Sequence, residues 1–170
     1  MRLATRCRIV RSVDVAAEVG SVWQGVVDWP RHGDWVPLTT VRTLTPSGRG
    51  VGARFVGRTA GPGPLSVIGF DDVMEVRSWQ DPDPSTDPPT PGRCEVVKLG
   101  RVVRGSAVFE VSAAGPGRSR VRWGEDIVVP RLVCRLVAVI AGAGLDRVLR
   151  AMARDLEGSS GGRAEPGDGR

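Results

Sequence analysis

The last third of the chain carries the clearest hydrophobic pattern, two alternating segments followed by a long helical one. Every second residue of 103–111 is small or apolar, and the alternation resumes over 121–129 after a turn at 114–117. A period of two is typical of a strand with one buried face. Apolar residues then recur at helical spacing over about 25 residues. This region therefore predicts a strand hairpin that leads directly into one long helix.

Shorter patterns precede this hairpin. A strand is predicted at 7–13, and Asp14 is a suitable N-cap for a helix whose apolar positions include Val22 and Trp23. Pro30 can begin a second short helix that ends near Trp35. Four further strands are predicted at 38–44, 51–59, 65–79 and 93–99. Successive strands with tight connections indicate an antiparallel meander.

The predicted fold class is α+β, with a seven-stranded curved antiparallel sheet, two short helices after strand 1 and a long C-terminal helix. We expect one domain over 1–157 and a disordered tail over 158–170, which is rich in Gly, Ser and charge. The sheet is expected to wrap around the long helix. Its apolar stripe is predicted to be Leu132, Leu136, Val139, Ile140, Ala143, Val148, Met152 and Leu156.

Two glycines, Gly142 and Gly144, interrupt the middle of this helix. A glycine inside a helix costs about 1 kcal/mol relative to alanine. A kink, close backbone packing or room for a ligand would each justify them.

Composition limits the function classes. The chain has 170 residues and a net charge of +5, but Lys98 is its only lysine and the arginines are scattered, so no nucleic-acid partner is predicted. Three well-separated cysteines and one histidine predict neither a disulfide framework nor a metal site, and no cofactor motif is present. No signal peptide or spanning segment is readable, which predicts a cytoplasmic monomer or homodimer without stable membrane insertion.

The order of elements and several short motifs resemble the START-like (SRPBCC) superfamily, in the group labelled polyketide cyclase/dehydrase and lipid transport. The resemblance implies a helix-grip fold with a hydrophobic cavity between the sheet and the C-terminal helix, which binds lipids, polyketides, steroids or similar molecules. Each motif alone is loose, but the order of elements matches throughout, and the resemblance covers about 7–157. The motifs are Val22-Trp23, Trp35-Val36-Pro37, Gly50-Val51-Gly52, the segments 69–76 and 100–105, and Trp123-Gly124-Glu125-Asp126.

Two carboxylates are the candidate catalytic groups. By strand alternation, Asp72 and Glu125 share the apolar faces of their strands, and burial beside Trp123 would raise the pKa of Glu125. An acid or base of this kind is what a cyclase or dehydratase needs to move a proton. Two alternatives remain open: Glu125 pairs with an arginine near its strand end, or a bulge at Asp71 and Asp72 reverses the alternation.

The candidate ligand-binding residues are mainly aromatic. His32 is expected to be exposed on the second short helix. The less favoured alternative is a role in proton transfer, which would require it at the cavity mouth. The side chains expected around a ligand are Trp35, Phe55, Phe70, Met74, Phe109, Trp123 and Glu125.

Three functions are compatible with these features. The first is binding of a small hydrophobic ligand such as a lipid, polyketide or isoprenoid, for transport or sequestration, without catalysis. The second is a polyketide aromatase/cyclase or dehydratase that uses a cavity carboxylate. The third is an interaction module whose cavity is filled by its own side chains.

Overall fold

A computed structural model describes residues 4–61, 69–100, 103–130, 132 and 134–161. Its seven strands form one antiparallel sheet in the order β1-β7-β6-β5-β4-β3-β2. The strands are β1 (Ala4–Val15), β2 (Thr39–Thr43), β3 (Arg54–Ala60), β4 (Gly69–Gln80), β5 (Gly92–Lys98), β6 (Gly105–Ala113) and β7 (Ser119–Pro130). The predicted order of elements is confirmed.

The helices follow the predicted order along the chain. Helix α1 (Val19–Val26), a single 3₁₀ turn (Trp29–Arg31) and the short α2 (His32–Trp35) follow β1. The long C-terminal helix is α3 (Cys134–Gly161). It continues four residues beyond the domain boundary expected at 157, and residues 162–170 of the expected tail lie outside the described part of the chain. The beginning of the strand predicted at 65–79 also lies outside it, up to residue 68.

The prediction of Asp14 as a helix N-cap is wrong. Asp14 belongs to β1, where both of its carboxylate oxygens accept hydrogen bonds from Arg120 on β7 at 2.7 and 3.0 Å. The N-cap residue of α1 is Glu18, four residues after the expected cap site, and it makes no side-chain cap hydrogen bond. The pairing of β1 with β7 continues to Val15, opposite Ser119, through the position where the first helical turn was expected.

The core forms where the second half of α3 packs against the inner face of the sheet and against α1. Trp23 is fully buried, and its indole N–H donates to Asp81 at 2.8 Å. Gly25 of α1 lies directly against Leu156 of α3, so that the two helices approach closely. The α3 residues in this core are Leu145, Val148, Leu149, Met152, Ala153 and Leu156.

The predicted apolar stripe of α3 is correct in its second half and wrong in its first. Val148, Met152 and Leu156 are buried as expected. Leu132 at the entrance to the helix and the first-half positions of the stripe face solvent, because none of the described strands covers that side of the helix. These exposed positions are Leu132, Leu136, Val139, Ile140 and Ala143.

The two helix glycines have different surroundings. A Cβ on Gly142 would lie 2.5 Å from the guanidinium of Arg11, which is itself held by Asp146 at 3.2 Å. A Cβ on Gly144 would meet nothing within 4 Å. Gly142 therefore permits close packing on β1, whereas Gly144 leaves open space. None of the helices in the described ranges is long and apolar enough to cross a membrane.

Candidate functional site

A cavity of about 440 Å³ separates the inner face of the sheet from α3. Its walls are mostly apolar and come from all seven strands, from α2 and the two residues after it, and from the middle of α3. Binding cavities for small molecules have volumes of about 300–1,000 Å³, so this space is large enough for one. An interior filled by the protein's own side chains, one of the three hypotheses, does not agree with this volume.

Most of the candidate ligand-binding residues line this cavity, namely Phe55, Phe70, Met74, Phe109, Trp123 and Glu125. Trp35 does not line it. The indole N–H of Trp35 donates to Asp155 on α3 at 2.9 Å, and Arg31 donates to the same carboxylate at 2.8 Å. Trp35 thus fixes α2 against the long helix. Contact of the other residues with a ligand stays a prediction.

Asp72 and Glu125 both face the cavity. Their strands keep a regular register at these positions, with Asp72 opposite Gly57 and Glu125 opposite Ala107. The irregularity of β4 lies at 76–78, between Val76 and Ser78, and not at Asp71 and Asp72. The bulge considered above is therefore absent from that position.

Lys98 lies between the two carboxylates. Its Nζ donates to Asp72 Oδ2 at 2.9 Å and lies 3.5 Å from Glu125 Oε2, while the indole N–H of Trp123 donates to Glu125 Oε1 at 2.9 Å. The Lys98 side chain is only 9% exposed. Glu125 thus pairs with the lysine, and not with an arginine as one alternative held. We call Asp72, Lys98 and Glu125 the charged cluster.

The sequence analysis did not select Lys98, although a signal was present. Cys94 and Val96 are fully buried and precede Lys98 on the same face of β5 at the strand period of two. A lysine that continues a buried face must find counter-ions, because an unpaired buried charge is too costly.

Burial and neighbouring charges have opposite effects on the pKa values of Glu125 and Lys98. Burial raises the pKa of Glu125 above its ordinary value of 4.5, although the charge of Lys98 and the Trp123 hydrogen bond oppose this shift. Burial would lower the pKa of Lys98, but the attraction of Glu125 and Asp72 outweighs it and raises that pKa above 10.5. Lys98 is therefore charged at neutral pH, and Glu125 is a weaker acid than a free glutamate.

His32 is buried, contrary to the expectation that it is exposed. It is 6% exposed and lines the cavity beside Phe55, Phe109 and Trp123. Its ring centroid lies 5.1 to 5.6 Å from those of Trp29, Trp35, Phe109 and Trp123. Trp29 and Trp35 stand three residues on either side of it, a spacing that places side chains on one helical face. This spacing was the feature of the sequence that could have predicted the burial of His32.

Desolvation lowers the pKa of His32 to about 4, although its hydrogen bond to the carbonyl of Val26 at 2.7 Å favours the protonated form. The imidazole is therefore neutral at physiological pH. The cavity wall thus has two polar sites, the charged cluster and a neutral histidine among aromatic side chains.

Comparisons with known proteins identify the fold. No family model and no curated protein matches the chain. Several solved structures are similar to this chain. A START superfamily protein from Mycobacterium smegmatis is 17% identical, with a TM-score of 0.64 over 92% of this chain and 99% of that one. A protein from Thermobifida fusca is 21% identical, with a TM-score of 0.66 over 88% and 93%. Norcoclaurine synthase from Thalictrum flavum, in complex with dopamine and hydroxybenzaldehyde, is 13% identical, with a TM-score of 0.58 over 91% and 88%.

At these identities the similarity concerns the fold alone. Together with the seven-stranded sheet and the long C-terminal helix, it confirms the START-like helix-grip fold that the sequence resembles. Function has to be argued from the cavity itself.

The depressed pKa of His32 has a measurable consequence. Below pH 6.5 the unfolded chain binds a proton at His32, whereas the folded protein does so only near pH 4, so acid favours unfolding. This difference in pKa amounts to about 3 kcal/mol of stability, lost as the pH falls through that window. As the pH falls from 6.5 to 4, we expect the free energy of unfolding of the unchanged protein to decrease by this amount relative to that of His32→Phe. The variant has no group that titrates at this position.

The raised pKa of Glu125 acts in the opposite sense, but it is common to both proteins and cancels in the comparison. Because His32 is the only histidine, its titration can also be followed directly by NMR. An imidazole that titrates near pH 6.5 in the folded protein would contradict the burial described here.

Proposed function

We propose that this protein binds a small apolar molecule in the cavity, with one polar group of the ligand at the charged cluster. The observation that carries the proposal is an apolar cavity of about 440 Å³ with three convergent charged side chains in its wall. Apolar walls provide affinity at about 25 cal/mol per Å² of buried apolar surface, and a few polar groups fix orientation. Lipids, polyketides and isoprenoids fit this description, and transport or sequestration would follow from binding alone.

The charged cluster supports a ligand with a hydrogen-bonding head group. With both carboxylates ionised, the cluster carries one negative charge more than Lys98 neutralises. All three side chains of the cluster line the cavity. A carboxylate accepts hydrogen bonds and an ammonium donates them, so a polar head group of the ligand can bond to this part of the wall.

Binding can be tested at Gly144, which lines the cavity and where a Cβ would meet nothing within 4 Å. A Gly144→Trp side chain would project across the cavity and displace the ligand. We expect a neutral fluorescent probe such as phenylnaphthylamine to bind at least about tenfold more weakly, because losing about 60 Å² of apolar contact has that effect.

Ala143→Trp is the matched control, since Ala143 is the adjacent residue of the same helix and faces solvent. It should bind the probe as the unchanged protein does. Equal probe affinity in all three proteins would contradict binding in the cavity. Native mass spectrometry of the purified protein would identify a hydrophobic molecule that purifies with it.

A second candidate is an enzyme that moves a proton on an apolar ketone, as a polyketide cyclase or dehydratase must. It is favoured by one observation, a carboxylate of raised pKa that lies 3.5 Å from a buried ammonium. The Glu125 carboxylate would remove the proton beside a carbonyl, the electron pair would move to the carbonyl oxygen, and the Lys98 ammonium would stabilise the resulting enolate.

Deuterium exchange into tetralone in heavy water tests this candidate without knowledge of the natural substrate. General-base catalysis typically contributes a factor of about 100 or more, so Glu125→Gln should exchange the protons beside the carbonyl about 100-fold more slowly than the unchanged protein. Tetralone affinity should stay nearly the same in the variant. Equal exchange rates in both proteins would reject Glu125 as the base and leave binding as the function.

A further inference from the structure

His32 is a polar group of the cavity that the proposed function does not yet use. Its Nε2 lies 2.7 Å from the carbonyl oxygen of Val26. A carbonyl oxygen only accepts hydrogen bonds, so Nε2 must carry the proton. A neutral imidazole has one N–H group, and its other nitrogen, Nδ1, then presents a lone pair as an acceptor. The backbone of α1 therefore fixes the tautomer.

Nδ1 has no hydrogen-bond partner among the described residues, where His32 bonds only to Val26. Two side-chain oxygens in the described ranges are enclosed with neither a partner nor contact with open space, Asp72 Oδ1 and Asp126 Oδ1. His32 Nδ1 is not one of these enclosed atoms. The open space that His32 borders is the cavity.

The surroundings of this nitrogen limit what can bind there. Phe55, Phe109 and Trp123 form the adjacent cavity wall, and Trp29 and Trp35 enclose the ring from behind. Flat aromatic walls favour a flat apolar partner through stacked and edge-to-face contacts. A lone pair in such a place requires a neutral donor, since an acceptor left unpaired in a dry site is unfavourable.

We propose that the cavity takes a planar apolar molecule that bears a hydroxyl or ring N–H group, and that His32 Nδ1 accepts the hydrogen bond from that group. This inference rests on the proposed binding function and makes it more specific. The planar part of the ligand would lie against the aromatic wall beside His32. A second polar group, where the ligand has one, would reach the charged cluster. Because the imidazole is neutral well below pH 7, this recognition is independent of pH across the physiological range.

Naphthol and its methyl ether test the proposal, because they share one planar body and differ in a single donor. We expect isothermal titration calorimetry to show that naphthol binds about three- to tenfold more tightly, the range that one net hydrogen bond provides. The ether is the more apolar of the two, so hydrophobicity alone would reverse this order. In His32→Phe, which keeps a flat apolar ring, the preference for naphthol should disappear.

A second measurement needs no variant. His32 is the only histidine, so isotope-labelled histidine gives the nitrogen signals of a single imidazole. Naphthol should shift the signal of the unprotonated Nδ1, and the ether should leave that signal nearly unchanged. This readout decides the question even when His32→Phe does not fold.

The outcomes separate this inference from the function on which it rests. Equal binding of the two compounds, with an unmoved Nδ1 signal, would overturn the role of His32 while leaving cavity binding intact. Failure of both compounds to bind, in a protein that also fails to bind phenylnaphthylamine, would overturn both proposals. A naphthol preference that persists in His32→Phe would assign the donor contact to another residue.

Discussion

A buried ammonium requires counter-ions, and this requirement organises the interior of the protein. Lys98 lies at the end of β5 with a side chain that is 9% exposed, and it is held by Asp72 of β4 and Glu125 of β7. Taking ions out of water costs several kcal/mol each, which only close pairing offsets. The three side chains can therefore lie on the inner face only together. Their presence makes one end of an otherwise apolar cavity polar and gives the protein a place to orient a ligand.

The cavity persists because the residues of α3 beside it include the small Ala141 and Gly144. Leu149 and Met152 are fully buried in the core, whereas Gly144, five residues before Leu149, adds no side chain beside the cavity. The second half of α3 packs against the core, and Gly142 lets the first half lie close to β1. The same arrangement leaves Leu136, Val139 and Ile140 facing solvent.

Strand alternation was the most reliable guide to the site. It placed Asp72 and Glu125 on the inner face, because the side-chain direction in a strand depends only on position along it. The partner of Glu125 depended on the pairing of β7 with β6 and of β6 with β5, which a single sequence does not determine. Lys98 was therefore missed, although the buried face formed by Cys94 and Val96 leads to it.

Helical patterns were less informative, since they show which positions are apolar but not what covers them. The stripe of α3 was predicted as one continuous buried face, but of its members only Val148, Met152 and Leu156 are buried. His32 was expected to be exposed because its short helix was considered alone. Its burial follows from the packing of Trp29, Phe55 and Phe109 around it, which joins the 3₁₀ turn, β3 and β6.

The titration of Lys98 tests the central claim most directly. Because the chain has one lysine, isotope-labelled lysine gives a single side-chain signal that NMR can follow as the pH rises. A lysine held between Asp72 and Glu125 should titrate above 10.5, despite its burial. A pKa at or below that value would contradict the account, because it would describe a lysine that is either exposed to water or buried without its two carboxylates.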